Sequence, residues 1–473
     1  MFEQFKSGLL YTAIGKYSNV VVQLSVQVVL SNLLLPAEFG IVATVNVFLV
    51  FFQLLADIGI GPAIIQNKDL TRSEINSIFG FSMYIAIVLG IIFVFLGYPI
   101  SWFYDNSVFI SISRILGICV FFYGALVVPQ SLLLRMKNFK LVNFTTVGSA
   151  LISGIISISL AFAGFSYYSI IIGNTVRAMV MFIIFYNQTG TKFKFKIDFE
   201  PLKKIFAFSR NQFLFNFINY FSRNLDNLLI GGTISQAALG YYDKAYTVSL
   251  YPNQVLTGLI TSVIHPIMSD YVDQKEKIKF VYLRLSSILA MIGMPLSVFL
   301  VFNARDIILV FGEQWLPSVP TLQILACTVW IQMILSSTGG IFQSGNRTDL
   351  LLLSGVLSSV FNISGILTGI FLGRIEYVAL LLLCAFSLNF IQANYLLMVK
   401  LFESNLLEFF PVLFKPMLLA IMQAVVFLLL PEFEMHFLIA LIIKGVIFAV
   451  VWLIGIVITG EFRRIKKEIM GNR

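Results

Sequence analysis

About fourteen apolar stretches, each long enough to cross a bilayer, follow one another along this chain with only short polar breaks. They run at roughly 8–34, 41–66, 76–98, 108–134, 144–165, 166–187, 206–231, 240–268, 281–302, 318–343, 350–372, 375–400, 408–430 and 434–460. A hydrocarbon core about 30 Å thick is spanned by ~20 apolar residues in a helix. Inside it every backbone N–H and C=O must be bonded within the chain, which leaves helices as the element that fits such runs. The sequence therefore predicts an all-α polytopic membrane protein with about fourteen transmembrane helices. Composition agrees, since 12% of the 473 residues are charged where a soluble domain carries about 25%. The first block is too long and too polar for a cleavable signal and is expected to remain as a span. Cys119, Cys327 and Cys384 all lie in apolar blocks without CxxC spacing, so neither a disulfide frame nor a zinc site is expected.

Lys and Arg alternate with the spans. Lys6, Lys68, Arg72, Arg135, Lys137, Lys140, the run Lys192 to Lys204, Lys275 to Lys279, Arg347, Lys400 and Arg463 to Arg473 fall on one side, and only Arg305 and Arg374 on the other. By the positive-inside rule the first set is cytoplasmic, with both termini. The net charge of +9 then needs no nucleic-acid partner; attraction to anionic membrane lipid suffices. At an offset of 200 residues, Leu34 to Gly40 aligns with Ser235 to Gly240, Lys16 with Asn216, Asn19 with Asn219, Gln23 with Arg223, Gln27 with Asn227 and Gln53 with Asn253. The first and seventh spans enter from the same side, so this reads as a parallel repeat. The expected domains are an N-lobe over 1–187 (spans 1–6), a basic connector over 188–205, a C-lobe over 206–400 (spans 7–12), and spans 13–14 with a basic tail over 401–473. The connector, Lys-Phe-Lys-Phe-Lys, reads either as an interfacial segment or as a loop that is merely basic.

A charge within a span costs roughly 2.5–3.5 kcal/mol on insertion scales, so it usually faces a bundle interior or a watery cavity. In the seventh span Gln212, Asn216, Asn219, Arg223 and Asn227, flanked by Asp226, share one helical face. The first span repeats the pattern with Lys16, Asn19, Gln23, Gln27 and Ser31, the second carries Asn46, Gln53 and Asp57, and the sixth carries Arg177. Isolated Asn or Gln residues read as interhelical glue, whereas two repeat-related stripes with cations point to a shared aqueous cavity. Arg223 has Asp226 within a turn. Lys16 and Arg177 have no such acidic neighbour and are the better candidates for an external anion. Tyr241, Tyr242, Tyr246 and Tyr251 read as an interfacial aromatic belt or, alternatively, as a surface that stacks on sugar rings. Gly365, Gly369 and Gly373 read as a close helix contact. An enzyme is not expected: Gly15-Lys16-Tyr17 lacks the spacing and the Ser or Thr of a phosphate loop.

Several segments together resemble the bacterial polysaccharide flippases of the Wzx type, in the superfamily that also holds multidrug extruders and lipid II flippases. They are Leu35-Pro36-Ala37-Glu38-Phe39-Gly40, Asp57-Ile58-Gly59, Ala63 to Gln66, Arg135 to Lys140, Asp226 to Gly231, Leu239-Gly240-Tyr241, Pro252 and Gly312-Glu313-Gln314-Trp315. The resemblance implies a transporter in the bacterial plasma membrane that moves a polyprenyl-pyrophosphate-linked oligosaccharide by alternating access for cell-surface polysaccharide biosynthesis. It also implies a polysaccharide polymerase and glycosyltransferases as partners. No cofactor is expected, and the coupling ion, H+ or Na+, is open. The lipid II branch would carry a basic residue in the second span, where this chain has Asp57. A multidrug or cation antiporter, with twelve spans and an acidic site, and a non-transporting membrane component are the rival readings.

Overall fold

The computed structural model describes residues 2–67, 69–195, 198, 200–202, 217, 220, 224–268, 274–431 and 433–461. Among them the regular elements are helices, and ten helices are long and apolar enough to cross a membrane. One further pair of helices, Glu313–Ala326 and Val329–Ser344, passes the same test together but is bent by 51°, and the seventh expected span lies mostly outside the described residues. It is a multi-pass membrane protein. Proximity divides it into two compact units, Met1–Gly240 and Tyr241–Arg473.

The first unit holds α1 (Phe2–Leu33), α2 (Pro36–Asp57), α3 (Ile60–Gln66), α4 (Arg72–Phe103), α5 (Val108–Arg135), α6 (Phe139–Phe162) and α7 (Tyr168–Thr189). It also holds a helical stretch over 224–233, here α8, and the first turn of α9 (Gln236–Met268). The motif at Leu35 to Gly40 starts α2 for local reasons. Pro36 sits in the first turn, where its missing N–H costs nothing, and the Glu38 carboxylate accepts the Leu35 amide at 2.6 Å. Where one apolar run was expected over 41–66, α2 stops at Asp57. Ile58 and Gly59 take left-handed backbone angles (φ 41° and 72°) before α3 begins. Helices α4 and α5 approach backbone to backbone at Gly90 and Gly117, where an added Cβ on either would meet the other's carbonyl oxygen at 2.8 Å. The Ser82 hydroxyl adds a bond to the Gly124 carbonyl at 3.0 Å. The connector begins as an extended segment laid along α4. The Lys192 amide donates to Asn76 at 3.0 Å, Lys194 Nζ to the Ser73 hydroxyl at 2.7 Å, and the Tyr84 hydroxyl to the Phe195 carbonyl at 3.1 Å.

The second unit holds most of α9, then α10 (Lys275–Phe302), α11 (Ala304–Leu309), α12 (Val319–Ala326), α13 (Val329–Ser344), α14 (Thr348–Phe371), α15 (Ile375–Tyr395), α16 (Pro411–Leu429) and α17 (Phe437–Ile458). Its core gathers Tyr282, Leu289, Ile334, Phe342, Leu397 and Phe409, and the buried Tyr282 hydroxyl donates to Asn394 at 2.7 Å. The tenth span, expected over 318–343, is met by two helices, Glu313–Ala326 and Val329–Ser344, bent by 51°. Gly365 and Gly369 make the expected close contact: a Cβ there would meet the Leu381 carbonyl at 3.0 Å and the Val378 Cα at 2.6 Å. Gly373 instead forms the turn after α14, at φ 75°.

Candidate functional site

In the first unit, α1 and α7 both pack on α6, and Arg177, midway along α7, reaches across to α1. Its Nη2 donates to Asn19 Oδ1 at 3.2 Å. Lys16 lies one turn earlier on the same face of α1, as i and i+3 residues do. Lys16, Asn19 and Arg177 are all half-buried. Among the described residues no carboxylate lies within ion-pairing distance of Lys16 or Arg177.

The cations of the second unit are treated differently. Glu461, buried, accepts from Arg284 Nη1 at 3.1 Å and from Lys415 Nζ at 2.7 Å. Lys444 pairs with Asp306 at 2.5 Å. Lys244 is 1% exposed, with its ammonium over the Trp315 ring at 4.3 Å and the Phe311 ring at 4.9 Å. Desolvated cation–π contacts of this kind are worth about 2 kcal/mol. Carboxylates or aromatic faces thus answer these four charges, whereas Lys16 and Arg177 are half-buried, with Arg177 bonded to the Asn19 amide. Arg114 of α5 is exposed near the start of its helix, a position from which a long side chain snorkels to the interface.

The other expected cavity residues separate. Gln23 is exposed, while Gln27 and Gln53 are half-buried. Asp57 Oδ1 accepts the Gly61 amide at 2.8 Å and so caps α3. Asp226 is buried and accepts the amide of Asn227, itself half-buried, at 2.9 Å. Asn216, Asn219 and Arg223 lie outside the described residues. The tyrosine cluster is not an open surface throughout: Tyr242 is fully buried and stacks on Tyr246, and Tyr241 meets the Trp315 edge. Lys244 escaped the sequence reading, although Gly312-Glu313-Gln314-Trp315 was a signal for it. Gly312 turns the chain at φ 115° just ahead of the tryptophan that covers the lysine.

The family model described as "Polysaccharide biosynthesis protein" matches residues 29–320. An uncharacterized membrane protein in the cps region of Klebsiella pneumoniae is 26% identical over 350 residues, 72% of this chain and 71% of that protein. The teichuronic acid biosynthesis protein TuaB of Bacillus subtilis is 26% identical over 434 residues, 90% of this chain and 88% of its own length. Among solved structures, the lipid II flippase MurJ in an inward closed conformation shares the fold with a TM-score of 0.74. That match covers 96% of this chain and 99% of the other at 16% identity.

Proposed function

The chain belongs to the polysaccharide biosynthesis protein family, and from that premise we propose that it flips a polyprenyl-pyrophosphate-linked oligosaccharide from the inner to the outer leaflet of the bacterial plasma membrane. It does so by alternating access. Glycosyltransferases build the cargo on the cytoplasmic side, and a polymerase takes it up outside. The observation that carries this reading is the bond from Arg177 to Asn19, one turn from Lys16 on α1, with no carboxylate in ion-pairing distance of either cation among the described residues. Each intramembrane cation costs roughly 2.5–3.5 kcal/mol, a penalty that an apolar side chain avoids. A pyrophosphate offers both of them short, charge-assisted hydrogen bonds. Arg223, on the repeat-related seventh span, is proposed as a third contributor, ranked below these two because Asp226 lies within one turn of it.

A cation antiporter would instead need an intramembrane carboxylate free to meet its cargo. Asp57, the acidic residue of the second span, sits at the break between α2 and α3 and accepts the Gly61 amide there, a structural placement that favours the anion reading without occupying the second carboxylate oxygen. The test is surface glycan in a strain that depends on this protein. Lys16→Ala and Arg177→Ala are each expected to abolish it at normal abundance in the membrane, and Lys16→Arg to retain part of it. Wild-type export from both alanine variants would refute the proposal.

A further inference from the structure

We infer that Asn19 is a positioning residue of this anion site, an uncharged acceptor that aims the Arg177 guanidinium without neutralising it. The inference rests on the reading of Lys16 and Arg177 as the anion site. A guanidinium carries five N–H donors in a rigid plane, and the 3.2 Å bond from Nη2 to Asn19 Oδ1 uses one of them. The remaining donors and the whole positive charge stay available to a ligand. Because α1 and α7 are both held by α6, the acceptor sits on one helix and the cation on another. The bond therefore fixes where a long, flexible side chain ends in the space between them.

The chemical choice at position 19 is informative. For stability alone an aspartate would serve better, since a carboxylate binds guanidinium through two parallel hydrogen bonds and offsets the cost of a charge in hydrocarbon. The second unit uses that solution with Glu461 and Asp306. Here an amide stands in the same role, which is what a site that must keep its charge for an anion requires. The same helix face supplies Lys16 one turn away, so a two-phosphate group meets a point charge and a planar fork together. At the offset of 200 residues Lys16 aligns with Asn216 and Arg177 with Tyr377, so neither of these two cations recurs at that offset.

The experiment uses the purified full-length protein, with farnesyl pyrophosphate as the probe and isothermal titration calorimetry as the readout. Asn19→Ala is expected to weaken binding roughly tenfold, and Asn19→Asp roughly a hundredfold, the range lost with a hydrogen bond to a charged group. The aspartate variant should meanwhile melt at or above the wild-type temperature, because its ion pair ties α1 to α7. A merely structural role for Asn19 would leave binding unmoved in that variant, and affinity within twofold of wild type would overturn the inference. Should Asn19→Asp fail to accumulate, wild-type affinity in Asn19→Ala overturns it equally. Lys16→Ala and Arg177→Ala separate the two levels of the argument. If they lose binding while both Asn19 variants keep it, only the role of Asn19 falls. If they bind like wild type, the anion site falls with it.

Discussion

Pro295, inside α10, has no N–H to give the Met291 carbonyl one turn back, and in a membrane that carbonyl has no water to turn to. Trp452 of α17 supplies the donor, its Nε1 bonding the Met291 oxygen at 2.9 Å. Removing the donor with Trp452→Phe keeps an aromatic ring but strands the acceptor. Intramembrane hydrogen bonds measure about 0.6 kcal/mol on average and up to about 1.7, so a lower melting temperature of that order is expected in detergent. Gln423, on α16, should behave in the opposite sense. It is fully buried, and neither side-chain polar atom finds a partner among the described residues. An orphaned buried polar group costs about 1–3 kcal/mol, so Gln423→Met is expected to raise the melting temperature. A loss on that substitution would mean that the amide has an employment, such as a water or a second conformation. Both residues look alike in sequence, a polar group in an apolar run. Only their surroundings, more than a hundred residues away for Trp452, tell them apart.

Among the elements, the contact between the starts of α2 and α9 carries the most information. A Cβ on Gly40 would lie 1.8 Å from the Gln236 carbonyl oxygen, and one on Gly240 would lie 2.0 Å from the Pro36 carbonyl oxygen. Exchanging each residue for its partner 200 positions away turns one contact into the other, the self-complementary pattern that a local two-fold relation produces. Thr44 strengthens it, its hydroxyl lying 3.0 Å from Gln236 Oε1. Backbone oxygens cannot swing aside, so Gly40→Ala and Gly240→Ala should each cost about 1–3 kcal/mol or more, and by similar amounts. Gly148→Ala and Gly355→Ala, where nothing lies within 4 Å, serve as controls and should be neutral or slightly stabilising. Unequal losses at Gly40 and Gly240 would break the symmetry argument. The paired glycine variants are the test of a duplicated structure behind the offset of 200 residues, which was itself visible because it rests on residue identity alone. The breaks at Asp57–Gly59 and in the tenth span were not, because an apolar run records length and not direction. Gly59 and Pro62 signalled a turn that the hydrophobic pattern overrode. Asp57 was legible as polar but not as a helix cap, since its use depends on the backbone turning there.

At the scale of the molecule, the apolar runs made the succession of helices readable almost completely, since crossing a bilayer leaves a sequence few alternatives. The candidate site was readable in its cations, which stand out by their cost, but not in the bond between residues 19 and 177, which depends on how α1, α6 and α7 pack. Orientation is the global property that the charges alone address. Lys and Arg gather on the loops that would share one side only if the number of crossings is even and the tenth span, though bent by 51°, crosses fully. A re-entrant tenth span would reverse everything after it and put Lys400 and the basic tail from Arg463 outside, against the strong bias of such residues for the cytoplasm. Reporter fusions decide between the two. Signals from fusions in the 188–204 connector and after Arg473 are expected to be cytoplasmic, and a fusion near Asn106 to report from the outside. A cytoplasmic connector with an external C-terminus would mean that the bent pair turns back within the bilayer. It would also put Glu461 and Lys415 on the external side, apart from Arg284, which precedes the bend and pairs with Glu461 at 3.1 Å, so that cluster already argues for a full crossing. Lys16, Asn19 and Arg177 precede the bend and stay where the proposed function needs them.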